Sequence, residues 1–234
     1  MEPHLLAAIG GGTLLAASSH CWAALTTRMS AAGTRFAKAP FLPSPGSLPL
    51  LAIGAAVGTT LLAIGFDAPR SLLWLFFSFL LTAGAVADAR WGWAPDGIVV
   101  PLAVLAPYLA GHDDFTAIGI GFALVFTPMV LDLVLVRFRL DVMTPPDMTA
   151  IVLPAIVFGA SYLTVGIYLA IALLLLAALR LPALRGSAAA IEDAREHTGQ
   201  DRAFPGRPGI AFLTVAFPVL LLAILISRGG FVPA

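Results

Sequence analysis

The sequence predicts an all-α transmembrane helical bundle of about eight spans, and two observations lead to that prediction. Of the 234 residues, 59% are hydrophobic and only 11% are charged, whereas soluble domains carry about 25% charged residues. The apolar residues are gathered into segments near the length that a membrane-spanning helix needs, roughly 17–25 residues. Because no polar stretch is long enough for a second folded domain, we expect one membrane-embedded domain over residues 1–234.

Hydropathy places these spans in chain order. The first is expected to be a retained helix, because it lacks the basic start and cleavage site of a removed signal. The apolar run 151–181 forms either one long helix or two abbreviated ones, and we divide it in two. The predicted spans are Leu5–Leu25, Leu48–Phe66, Ser71–Ala87, Gly97–Ala110, Phe115–Val136, Met148–Leu163, Thr164–Leu179 and Gly209–Ile226.

The basic residues predict how the bundle is oriented. With eight spans, all of the 13 basic residues except Arg70 and Arg228 fall on one side, and the side rich in Lys and Arg is the cytoplasmic one. Asp88 and Asp147 both fall on that side. A short interfacial helix is predicted within 186–208. The predicted cytoplasmic loops are 26–47, 88–96, 137–147 and 180–208.

Charge and cysteine content exclude several classes of protein. A formal net charge of zero removes the global basic surface that typifies nucleic-acid binding. Cys21 is the only cysteine, which excludes internal disulfides and multi-cysteine zinc sites. His4, His112 and His197 are isolated and lack ligand spacing, so we predict no metal and no cofactor.

The first span carries small and polar residues. Gly10-Gly11-Gly12 predicts close helix packing rather than a phosphate loop, since no strand precedes it. Ser18-Ser19-His20-Cys21 predicts a polar contact between helices. Trp74, Trp91 and Trp93 are expected as anchors at the membrane interface.

Asp88 is the first candidate site residue. It ends the third predicted span, where the helix dipole disfavours a negative charge, and an ionisable residue at such a place is a functional-site hypothesis by default. The alternative is a solvated carboxylate paired with Arg90. Pro95 opens the next helix, and Asp96 falls in its first turn, either as a cap or as a supporting site residue.

Asp147 is the second candidate, and it begins a later span directly after Pro145 and Pro146. A helix cap and a functional carboxylate fit this position equally well. Asp132 lies inside the fifth span, near its cytoplasmic end. It either joins the site as a third carboxylate, pairs with Arg137 or reaches toward the membrane interface.

The first of these segments resembles a motif of the type IV prepilin peptidase family, which are membrane aspartic peptidases of the GxGD class. That motif has an Asp at a span end, Pro-Asp or Pro-Asn seven residues on, and often Leu-Pro beyond. Asp88, Pro95-Asp96 and Val100-Pro101 match it in order and spacing.

The second segment and the C-terminal region extend the resemblance. The family's second Asp follows Gly-x-Gly at the start of a later span, and Thr144-Pro145-Pro146-Asp147 stands in that place, with Thr149 where the family has Lys. The run Phe204–Gly209 is similar to the family's Pro-Phe-Gly-Pro-like run. The resemblance covers the chain from about Leu48 to the C-terminus.

The resemblance implies an aspartic endopeptidase of the bacterial inner membrane. Asp88 and Asp147 would form the catalytic dyad, in which one carboxyl group keeps a proton while the other activates water. The implied substrates are prepilins or pseudopilins, whose basic leader is cut on the cytoplasmic side just before the apolar helix. The implied setting is a type IV pilus or a protein secretion system.

Two departures from the family keep other interpretations open. Thr-Pro-Pro replaces the flexible glycines with a stiff backbone, which favours a catalytically silent homologue that acts in pilus or secretion-system assembly. The chain has only the short 26–47 loop where the large enzymes carry a CxxC-bearing domain, so it matches a compact form, and their N-methylation is not expected here. A proton-coupled transporter is the third interpretation, although no internal repeat supports it.

Overall fold

The computed structural model describes residues 3–30, 41–64, 70–91, 94–137, 145–158 and 212–228. Over these residues the chain is all-helical, as predicted, with a 3₁₀ turn at Pro45–Ser47 before the second helix. The predicted span Thr164–Leu179, the interfacial helix within 186–208 and the run 204–209 lie outside the described residues. The helices are α1 (Pro3–Ser30), α2 (Leu48–Ala63), α3 (Arg70–Trp91), α4 (Asp96–Leu109), α5 (Asp114–Arg137), α6 (Pro145–Phe158) and α7 (Leu213–Arg228).

Three of these helices are long and apolar enough to cross a membrane, and they indicate a membrane protein. They are Pro3–Ser30, Leu72–Trp91 and Asp114–Val134. The other four are apolar but have only 14 or 16 residues, or about 21–24 Å at 1.5 Å per residue, against a hydrocarbon core of about 30 Å. By length, the described helices therefore do not establish the predicted count of eight spans.

Helix α3 lies at the centre of the bundle. It packs against α1, α2, α4 and α7, and nearly every side chain from Phe77 to Asp88 is buried. The helix is apolar on all sides along most of its length, as expected of a helix in a protein core. It also continues one turn beyond the predicted span end at Ala87, so Asp88 lies within its last turn and not after it.

Several helices begin or end at the same end of the bundle. Helix α7 runs antiparallel to α3, since Thr214 contacts Asp88 while Phe217 packs against Gly84 one turn earlier. The end of α3 at Trp91 and the starts of α4, α6 and α7 therefore lie together. We call this the Asp88 end of the bundle.

Several glycines allow helices to approach closely, among them Gly12 and Gly84. A side chain at Gly12 would overlap the Ala55 carbonyl and Thr59 of α2, so the predicted close packing of the first span is confirmed at this residue. A side chain at Gly84 would overlap the ring of Phe217 on α7. Small residues permit such contacts between membrane helices, and the second contact brings α7 against α3 one turn from Asp88.

The turn between α4 and α5 lies at the opposite end of the bundle. Gly111 has φ +89°, a conformation that glycine adopts without steric cost. Asp113 then caps α5, because its Oδ1 accepts from the Thr116 N–H at 3.0 Å and its Oδ2 from the Thr116 hydroxyl at 2.8 Å. These two bonds hold the pKa of Asp113 below its ordinary value.

The structure corrects the prediction that Trp74 and Trp91 are anchors at the membrane interface. Trp74 is buried and packs edge-on against Phe77, with 6.2 Å between ring centroids. Trp91 is also buried and stacks with His20 at 6.5 Å. Both rings are only 5% exposed, so neither lies at a lipid-facing surface. Trp93 lies outside the described residues.

Candidate carboxylate site

Asp88 is a buried carboxylate bonded to the start of another helix. It is 7% exposed, and its Oδ2 accepts hydrogen bonds from the Thr214 N–H at 2.7 Å and from the Thr214 hydroxyl at 3.0 Å. The first N–H groups of a helix have no partner within it, so α7 supplies a donor where Asp88 needs one. A buried carboxylate requires such partners because it has lost its water.

Asp147 faces the same site. It lies in the first turn of α6 and is half-buried, and it is close enough to Asp88 for the two carboxylates to repel each other electrostatically. The structure thus brings together the two carboxylates that the sequence singled out. They come from different helices and meet at the Asp88 end of the bundle.

Helix α6 is tied to α5 two residues after Asp147. Thr149 is 3% exposed, and its hydroxyl donates to the carbonyl oxygen of Leu124 at 3.0 Å. In an unbroken helix that carbonyl accepts from the N–H four residues later, but residue 128 is Pro128, which has no N–H. Thr149 therefore satisfies a carbonyl that the proline has released.

Arg90 makes a separate polar contact beside the site. Its Nη1 donates to the Leu42 carbonyl oxygen and lies 3.3 Å from Nε2 of His20, and its guanidinium lies 5.3 Å from the Trp91 ring. Because arginine only donates, this geometry requires Nε2 of His20 to accept. The bonds found for Arg90 join α3 to α1 and to the segment before α2, while those found for Asp88 lead to α7.

The contact at His20 confirms part of the predicted polar cluster in the first span. His20 is 1% exposed and Ser19 is fully buried. Cys21, in contrast, is exposed, so it is not part of this contact between helices.

The supporting candidates occupy different positions. Asp96 is exposed in the first turn of α4, which suits the favourable end of the helix dipole more than a role inside the site. Asp132 is half-buried near the end of α5, and Pro146 is half-buried directly before Asp147. Within the described ranges, His, Cys, Asp and Glu form no group of three or more that could hold a metal ion.

An apolar groove of about 510 Å³ runs between α5 and α6. Its end near Asp147 is formed by Met148 and Thr149, which directly follow that carboxylate in the chain. The groove therefore reaches the residues that follow Asp147 in α6. Its walls are Ile120, Ala123, Leu124, Thr127, Pro128, Leu131, Met148, Thr149, Ile151, Val152 and Ile156.

Two adjacent carboxylates, one of them buried, are suited to general acid and base chemistry. No protein-family model, curated protein or solved structure matches this chain. Function is therefore inferred from the geometry of Asp88, Asp147 and their partners.

Sequence reasoning missed Thr214 as a partner of the site. The residue is an ordinary polar side chain at the start of the last apolar run, and nothing in its neighbours points to Asp88. The sequence pattern marks Thr149 only as the residue that stands where the family has Lys. A signal for its role was present, because Pro128 predicts a released carbonyl at Leu124.

Proposed function

We propose that the chain is an aspartic endopeptidase of the prepilin peptidase type, which cuts the basic leader from a prepilin or pseudopilin. The observation that supports the proposal most is the meeting of Asp88 and Asp147 at one end of the bundle. Each residue lies where the resemblance requires a catalytic Asp, and the two lie on different helices.

The chemistry follows from two carboxylates with one proton between them, since two close negative charges oppose each other. The ionised member takes a proton from water while the water oxygen attacks the scissile carbonyl carbon. The protonated member gives its proton to the carbonyl oxygen, which forms a neutral tetrahedral intermediate. That intermediate collapses as the C–N bond breaks. The carboxyl group that took a proton from water gives it to the leaving nitrogen, and the other carboxylate takes a proton from one of the two hydroxyls. The step leaves a new carboxyl end and a new amino end and restores the single proton of the pair.

The eight-span topology and the cytoplasmic position of the site belong to the same proposal. Arg28, Arg90 and Arg137 lie in the last turns of α1, α3 and α5, helix ends that the alternation of directions brings to the Asp88 end. A basic end is expected to be cytoplasmic. Helices α6 and α7 begin at the same end, and an eight-span topology, with one span between them, predicts that arrangement.

The groove between α5 and α6 supports a substrate with an apolar segment beside its cleavage site. Met148 and Thr149 form the end of the groove next to Asp147, and the remaining walls are almost entirely apolar. A prepilin is cut directly before an apolar helix, so such a helix has a matching surface beside the proposed catalytic pair.

A second candidate is a catalytically silent homologue that acts in pilus or secretion-system assembly. The observation that favours it is the start of α6, where Pro145 and Pro146 open the helix just before Asp147. Proline at the first helical positions fixes the backbone, in place of the family's glycines. A proton-coupled transporter has weaker support, namely Asp132, which is half-buried within α5.

Co-expression separates these candidates. The chain is produced in bacterial membranes with a prepilin that carries its leader, and the mass of the prepilin is measured by mass spectrometry. We expect loss of the leader in cells with the wild-type chain and retention of the leader in cells without it. Retention of the leader in both, with the chain folded in the membrane, would favour the silent homologue. Leader loss would exclude a transporter as the sole function.

A further inference from the structure

Thr214 gives Asp88 two hydrogen bonds from one residue, and both reach the same oxygen. The backbone N–H and the side-chain hydroxyl each bond to Oδ2, so together they fix the rotation of the carboxyl group about its side-chain axis. The N–H bond pairs one of the donors that the start of α7 leaves without a partner in the helix, whereas the hydroxyl bond pairs no backbone donor. A threonine hydroxyl at this place therefore calls for a role beyond capping.

The position of Thr214 is itself held by packing. Phe217, three residues later in α7, fills the space that Gly84 leaves open in α3. This contact lies one turn from Asp88, so a shift of α7 along α3 is resisted close to the bonded pair. The donor and the acceptor thus belong to two helices in tight contact.

The two bonds oppose the effect of burial. Loss of water disfavours the ionised form of a carboxyl group, whereas hydrogen bonds to that form favour it. Bonds to a charged acceptor are also stronger than bonds between neutral groups. The N-terminal end of the α7 dipole acts in the same direction.

We propose that Thr214 is a positioning residue for Asp88, which orients the carboxyl group and favours its ionised form in the catalytic pair. The catalytic part of this inference rests on the proposed function. The effect of Thr214 on Asp88 itself does not, since it follows from the two hydrogen bonds.

Among the residues that the structure describes, few other charged groups lie around Asp88. Asp147 on α6 repels it. Arg90 on α3 and His20 on α1 contact each other, and Asp96 on α4 is exposed. Helix α2 has no titratable side chain, and the only one in α7 is Arg228, at the far end. A change at Thr214 therefore acts on Asp88 without removing any other charge.

The test compares Thr214→Val, which keeps the shape and the N–H but removes the hydroxyl, with Thr214→Ser, which keeps both donors. Infrared titration of each purified protein in liposomes follows the protonated carboxyl band that disappears in Asp88→Asn. We expect Thr214→Val to keep this band up to a pH about one unit higher than the wild type, since a hydrogen bond to a charged group is worth roughly a tenfold change in an equilibrium. Thr214→Ser is expected to titrate like the wild type.

Cleavage of a prepilin provides the second readout. We expect Thr214→Val to lower kcat about tenfold with little change in KM, and to shift the acidic limb of the pH–rate profile to higher pH. Thr214→Ser should match the wild type in both. Unchanged titration and kinetics in Thr214→Val would overturn the inference while leaving the proposed function intact. If the wild type cuts no prepilin, the proposed function fails, and the infrared titration alone decides the role of Thr214. Should Thr214→Val not fold, Thr214→Ala serves as the variant without the hydroxyl.

Discussion

The hydroxyl of Thr149 donates to the carbonyl oxygen of Leu124 across the contact between α5 and α6, at 3.0 Å. Pro128 removes the N–H that this carbonyl would accept within its own helix, and water is not at hand in a membrane to replace it. The Thr149 hydroxyl of α6 therefore supplies the donor that the Leu124 carbonyl lacks within α5. The bond ties α6 to α5 two residues after Asp147.

Removal of the Thr149 hydroxyl is expected to destabilise the bundle. Thr149→Val should lower the free energy of unfolding by about 1 kcal/mol, the size of a typical hydrogen bond between membrane helices. The same change should cost much less in a Pro128→Ala background, because residue 128 then has an N–H for Leu124. Unfolding of the four proteins in mixed micelles measures this coupling. Additive effects of the two substitutions would contradict the interpretation.

The contact of Gly84 with Phe217 predicts a size-dependent effect. Gly84→Ala should lower the free energy of unfolding by about 1–3 kcal/mol, because the new methyl group overlaps the ring in a packed core. Gly10→Ala is the matched control, since open space surrounds Gly10 and alanine is the better helix former. Thermal unfolding in detergent measures both. Phe217→Leu should reduce the cost of Gly84→Ala, and a cost that persists unchanged would show that the ring is not its cause.

Arg90 and His20 are expected to act as one unit. Arg90→Ala should lower the free energy of unfolding by about 2 kcal/mol, since it removes charged hydrogen bonds to Leu42 and His20. His20→Ala should add little to Arg90→Ala, because the partner is already gone. Unfolding of the single and double variants in detergent tests this. If Arg90 instead paired with Asp88, the cost of Arg90→Ala would fall in an Asp88→Asn background and would not change in a His20→Ala background.

The Asp113 cap of α5 is expected to make the stability of the folded protein depend on pH. Thr116 holds the pKa of Asp113 below its ordinary value, so the cap stabilises the folded state above the unfolded pKa. That contribution is lost as the pH falls through the lower, folded pKa. Asp113→Asn should therefore melt at a lower temperature than the wild type at pH 6, and the difference should shrink toward pH 3. A difference that stays constant over this range would contradict the assignment.

The sequence predicted the helical class and the two carboxylates because these depend on composition and on local spacing. Asp88, Pro95 and Asp96 stand in one short segment, so their pattern is visible without a fold. Thr214 is far from Asp88 in the chain, and only the antiparallel packing of α7 on α3 brings them together. Trp74 and Trp91 were placed wrongly because their type indicates an interface, whereas the central position of α3 buries them.

We propose that Asp88 and Asp147 form one catalytic pair. The most direct test is the rate of leader cleavage from a purified prepilin by the chain in liposomes, with the wild type, Asp88→Asn, Asp147→Asn and the double variant. Asp113→Asn, at the opposite end of the bundle, is the matched control at pH 7. We expect each single variant to lose at least a thousandfold in rate, the double variant to lose no more than either, and the control to retain the wild-type rate. Cleavage that persists in either single variant at the wild-type rate would contradict the account.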